Sequence, residues 1–219
     1  MRKFCLFVML CALAAPFASA GLVVGSDDGG NCFPFSCFAY NGGTVYQEVY
    51  SSTAFSGPIT ISSLSFFAWP EEEYLGGMDD AMYTIDLSTT SSNVGDGYPL
   101  IVGADDQFFG TFHISGNMPA VLTLDGTPFN YDPSDGNLLM QVTVGTVYST
   151  CEYCSFFEAD YTGAVVSRTF VNAAYPGGLS DNGALVTGFG SAASVPEPGS
   201  LMLLGCGLAG LAALIRRRK

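Results

Sequence analysis

Hydrophobic and polar positions alternate along much of this chain, in short runs. Met82 to Ser88 puts Tyr83, Ile85 and Leu87 on one face of an extended strand and Thr84, Asp86 and Ser88 on the other. Asn137 to Val144 directs Leu138, Met140, Val142 and Val144 to one side in the same way. Pro58 to Phe67 opens with β-branched residues and then alternates, with a bulge expected at Ser62-Ser63 where the period slips. Gln107 to Ile114, Ala120 to Leu124, Ala164 to Val171 and Ala184 to Phe189 are further strand candidates. Asp96-Gly97, Asp125-Gly126, Asp135-Gly136 and Asn182-Gly183 read as the turns between them. No helical period of 3.6 runs through this part of the chain. Many short strands separated by turn signals predict an all-β fold, a two-sheet antiparallel sandwich of jelly-roll-like type.

The alternation stops at both ends. Arg2 and Lys3, the apolar stretch Phe4 to Phe17 and the small residues Ala18-Ser19-Ala20 predict a cleaved N-terminal signal peptide over 1–20, with a mature chain from Gly21. Gly199 to Ile215 carries no charge and predicts a single C-terminal hydrophobic helix. At about 1.5 Å per residue it spans about 25 Å, just enough to cross a hydrocarbon core of roughly 30 Å. Arg216, Arg217, Arg218 and Lys219 follow, a cluster that stays on the cytoplasmic side and leaves the body on the far side. Within this span Gly205 to Gly210 spells G-x-G-x-x-G. A dinucleotide site would need a strand before it and an acidic residue after it, so small residues packing a membrane helix explain it better. The chain thus divides into 1–20, an exported domain over 21–194, and a tail over 195–219 made of a motif (196–198), the span (199–215) and the basic end (216–219).

Val195-Pro196-Glu197-Pro198-Gly199, one apolar span and a terminal Arg-Arg-Arg-Lys together resemble the PEP-CTERM sorting signal of Gram-negative bacteria. The resemblance covers about 25 residues. It implies an exosortase-type membrane processing enzyme as partner, acting near Pro196, Glu197 and Pro198. It also implies a cargo that passes through a membrane-anchored intermediate to the cell surface or extracellular matrix, often alongside exopolysaccharide. The two prolines hold this segment extended and remove amide donors, which suits a strand presented to an enzyme. Tyr46 to Phe67 and Pro128 to Val144 also resemble segments that recur in PEP-CTERM cargo proteins without assigned activity, and this implies a β-rich exported domain.

Charge narrows the partners. Between Gly21 and Ser194 one cation, Arg168, stands against 19 acids, a formal charge of −18. Such a surface repels nucleic acid and anionic headgroups and attracts divalent cations. The same segment is rich in Phe, Tyr, Val and Ile, so it folds rather than staying disordered. Four of its residues are cysteines: Cys32, Cys37, Cys151 and Cys154. In an exported chain they predict two disulfides, and the local pairs Cys32–Cys37 and Cys151–Cys154 are favoured because each is already close along the chain. A four-cysteine zinc site and a thioredoxin-like Cys151-Glu152-Tyr153-Cys154 stay open as rivals.

Catalytic chemistry is sparse. His113 alternates along a strand between Phe112 and Ile114 and reads as a surface or structurally satisfied residue, since no nucleophile context such as G-x-S-x-G accompanies it. Glu71-Glu72-Glu73 and Asp79-Asp80 are the carboxylates a glycosidase-like hydrolase would use, although adjacent acids in a loop are more often solvated. Asn130, Asp132, Asp135 and Asn137 gather oxygen ligands of the kind calcium takes, without EF-hand spacing. A hairpin turn, favoured over calcium, explains them through the turn chemistry of Pro133 and Asp135-Gly136 alone. Trp69 and Tyr74 are candidate contacts to carbohydrate, with core packing the simpler role for Trp69. The expectation is an exported protein of structural or binding type and no enzyme, with a secreted hydrolase as the alternative.

Overall fold

The computed structural model describes residues 21–37, 43–70 and 76–191. Along the chain the strands are β1 (Leu22–Val24), β2 (Gly29–Asn31), β3 (Val45–Tyr50), β4 (Ile59–Phe67), β5 (Gly77–Thr90), β6 (Gln107–Asn117) and β7 (Val121–Tyr131). After them come β8 (Asn137–Ser149), β9 (Phe157–Asp160), β10 (Val166–Val171), β11 (Leu179–Asp181), β12 (Ala184–Leu185) and β13 (Thr187–Gly190). A single 3₁₀ turn, Ser52–Ala54, is the only helical element among the described residues. The signal segment 1–20, Glu71 to Glu73 with Tyr74, and the tail with its motif, span and basic end lie outside them.

All strand pairs are antiparallel. They form a six-stranded sheet ordered β11-β10-β3-β8-β5-β6, a four-stranded sheet ordered β1-β13-β4-β7, and a small sheet ordered β12-β9-β2. From β3 to β5, and again from β6 to β8, the chain crosses between the two larger sheets at each step, the passage typical of jelly-roll-like sandwiches. The fold is the expected all-β sandwich, with the third sheet as an addition.

The alternation accounts for the core. Tyr83, Ile85 and Leu87 of β5 and Leu138, Met140, Val142 and Val144 of β8 are buried together with Ile61, Leu64 and Phe66 of β4 and Leu122 and Leu124 of β7. Phe35, in the loop after β2, is fully buried and lies against Phe66 (5.0 Å), Tyr83 (5.1 Å) and Phe157 (5.7 Å), one ring from each sheet. A smaller core of Val49, Leu100 and Leu139 occupies the outer face of the six-stranded sheet. It forms because the β5–β6 connection folds back over β3, where the Leu100 amide donates to Gln47 at 2.9 Å.

Three local expectations are corrected. Asp125-Gly126 lies inside β7. The β4–β7 register slips there, as foreseen on the β4 side between Ile61 and Ser63. A Cβ at Gly126 would meet the Phe109 ring at 2.5 Å, so the glycine makes room for a buried aromatic. Asp135-Gly136 is not a hairpin turn, because β7 and β8 belong to different sheets. Finally, Ala184 to Phe189 divides at Val186 into β12 and β13, which join separate sheets.

Candidate functional site

The four candidate calcium ligands sit at the β7–β8 crossover, and hydrogen bonds within the protein engage the side chains of Asn130, Asp132 and Asn137. Asn130 accepts from the Thr60 hydroxyl at 2.8 Å across the β4–β7 pair. Asp132 accepts from the Ser134 amide (2.9 Å) and hydroxyl (2.8 Å), which hold its carboxyl below the usual carboxylate range. Asn137 accepts from the Ser52 amide at 2.8 Å and donates to the Ser92 carbonyl at 2.9 Å. No group of three or more metal-binding His, Cys, Asp or Glu side chains occurs among the described residues.

Asp79 and Asp80 part company although they are neighbours. Asp79 is buried and accepts from the Cys151 amide at 2.8 Å. Asp80 is exposed enough to meet His113 Nε2 at 2.6 Å. They therefore do not face one another across a cleft in the manner of paired glycosidase carboxylates. His113 is half-exposed and packs edge-on to Tyr148 at 5.5 Å. Trp69 is partly buried against Phe156 at 6.3 Å, and its indole covers the backbone of Gly30, where a Cβ would collide with the ring.

The cysteines form the two local pairs, with Cα–Cα distances of 5.7 Å for Cys32–Cys37 and 5.2 Å for Cys151–Cys154. The loops they close meet where Ser36 Oγ lies 3.7 Å from Cys151 Sγ. Both grip the start of β5: Asp79 donates its amide to the Phe35 carbonyl (3.1 Å) and Gly77 to the Tyr153 carbonyl (2.7 Å).

One strongly perturbed acid was not among the candidates read from the sequence. Glu48 of β3 is fully buried, and desolvation pushes its carboxyl up to about 8. The register sets it opposite Arg168 of β10, which in turn is opposite Asp181 of β11. Arg168 donates to Asp181 through Nε (2.6 Å) and Nη2 (3.0 Å), and its guanidinium lies 5.6 Å and 5.4 Å from the Phe33 and Phe170 ring centres. A signal was present in Tyr46-Gln47-Glu48-Val49-Tyr50: the acid shares its face with two tyrosines, and with period 2 that face is inward.

Residues 194–219 match the family model described as the PEP-CTERM protein-sorting motif. The chain carries the PEP-CTERM sorting signal. The PEP-CTERM signal is what exosortase recognises, so this is an exported protein with an exosortase partner. No curated protein and no solved structure matches the chain.

Proposed function

We propose that the domain between the two end signals is a structural or binding component of the cell surface or extracellular matrix, and that it contacts exopolysaccharide. The observation that carries this reading is the PEP-CTERM signal joined to a disulfide-closed acidic β-sandwich. In that domain the candidate catalytic carboxylate Asp79 is committed to holding the fold. The outer face of β5, β6 and β8 supports a contact with glycan. It presents Tyr148, His113 and the hydroxyl pair Thr84–Thr111, separated by 3.1 Å. A sugar ring packs its C–H face on an exposed aromatic and bonds its hydroxyls to neighbouring polar groups. The formal charge of −18 favours a neutral glycan over an anionic one.

Replacing Pro196, Glu197 and Pro198 together by alanine tests the route. Full-length protein should stay in the membrane and surface release should stop. Wild-type protein at the surface should end near the motif and lack Arg216 to Lys219, and an intact basic end there would refute processing. A glycan array with and without calcium tests the role. Binding without turnover fits it. Turnover lost with a single Glu or Asp change would replace it with the hydrolase.

A further inference from the structure

Glu48 lies in the core without a cation of its own. The groups facing it come from six strands. Tyr46 and Tyr50 flank it on β3, and the register sets Arg168 of β10 and Met140 of β8 on either side. Asp181 of β11 stands behind Arg168 and engages it through two hydrogen bonds. The Leu185 amide of β12 and the Thr187 hydroxyl of β13 close the remaining side. Arg168 is the only cation in the domain, and its bidentate bond goes to Asp181.

Four contacts make a ring. The Leu185 amide donates to Glu48 Oε1. Glu48 Oε2 is 2.9 Å from Tyr50 Oη, and Tyr50 Oη is 2.9 Å from Thr187 Oγ1. Thr187 Oγ1 is 3.1 Å from the Leu185 carbonyl oxygen. Hydrogens can be counted around this ring. A carboxylate only accepts, so Tyr50 must donate to it, and Thr187 has one hydrogen for two contacts. Four contacts then share three hydrogens. A neutral acid supplies the fourth: Glu48 donates to Tyr50, Tyr50 to Thr187, Thr187 to the Leu185 carbonyl, and the Leu185 amide back to Glu48. Every bond then runs in one direction, so each polarises the next.

We propose that Glu48 is a neutral carboxylic acid in the folded protein at neutral pH, and that this closed ring is a proton-dependent latch. It joins the three sheets, since β3, β12 and β13 each belong to a different one. Burial supports the neutral form, against the opposing pull of Arg168 and of the hydrogen bonds, by moving the carboxyl from 4.5 to about 8. The sign follows from linkage. The folded state keeps a proton that the unfolded chain releases, so the latch contributes fully below pH 4.5, weakens as pH rises, and is lost through about pH 8.

The full chain labelled with carboxyl-¹³C glutamate tests this by NMR titration. One glutamate resonance should titrate near pH 8 and vanish in Glu48→Gln. If every glutamate is ionised by about pH 6, the proposal fails. Urea unfolding of wild type and E48Q gives a second measurement. Glutamine keeps the ring, donating Nε2–H to Tyr50 and accepting from Leu185. The two midpoints should agree near about pH 5, and the wild type should fall below E48Q by about pH 9. A wild-type midpoint that rises with pH relative to E48Q would mean an ionised Glu48. Should E48Q fail to fold, the wild-type titration decides alone.

Discussion

The two disulfide-closed loops are alike in chemistry and nearly alike in span, with sequence separations of 5 and 3. They contribute in opposite ways. The Cys32–Cys37 loop sends its side chains inward: Phe35 reaches a ring of every sheet, and Phe33 stacks on Phe170 at 4.7 Å. The Cys151–Cys154 loop sends its side chains outward, with Tyr153 77% exposed, and holds on through its backbone to Gly77 and Asp79. A short cross-link has a similar effect on the unfolded chain wherever it lies. Its effect on the folded state depends on what the closed loop carries.

Side-chain truncation should break the symmetry most. Phe35→Ala should cost about 3–5 kcal/mol in urea unfolding, because it empties a site between three sheets. Tyr153→Ala should stay within about 0.5 kcal/mol. Equal losses would show that the loops are equivalent after all.

Removing the cross-links sharpens the same contrast at smaller size. Chain entropy alone assigns each loop roughly 2 kcal/mol. Cys151→Ser with Cys154→Ser should cost about that much. Cys32→Ser with Cys37→Ser should cost more, since it also frees the segment that positions Phe35. Peptide mapping of the secreted protein should find all four cysteines oxidised, and zinc bound to free thiolates would overturn the pairing.

A third region sets the floor of the scale. At the β7–β8 crossover Asn130, Asp132 and Asn137 already accept hydrogen bonds within the protein, so calcium has little to add. At the affinity usual for extracellular modules, millimolar calcium would stabilise by about 0.4–1.4 kcal/mol, read as a rise in Tm that Asp132→Asn with Asp135→Asn removes. No shift at all would leave the turn to its hydrogen bonds.

Period-2 alternation marked β4 to β8, β10 and the β12–β13 segment, their inward faces and the all-β class, because a strand's two faces are written into neighbouring residues, while β1, β2, β3, β9 and β11 went unmarked. The bulge beside Ser62-Ser63 was legible for the same reason, and so were the sorting signal and the closeness of each cysteine pair. What the chain could not show locally depended on partners far along it. Asp125-Gly126 spells a turn, yet Phe109 makes it the interior of a strand. Asp79 and Asp80 look like a pair, yet the fold buries one against the Cys151 amide and leaves the other beside His113. Glu48 looks like one acid among 19, and only the meeting of β3 with β10, β12 and β13 removes its water and surrounds it with a closed set of hydrogen bonds. Local pattern reports which face of a strand is apolar. Desolvation and hydrogen-bond partners are properties of the assembled sheets, so they appear only when distant segments come together.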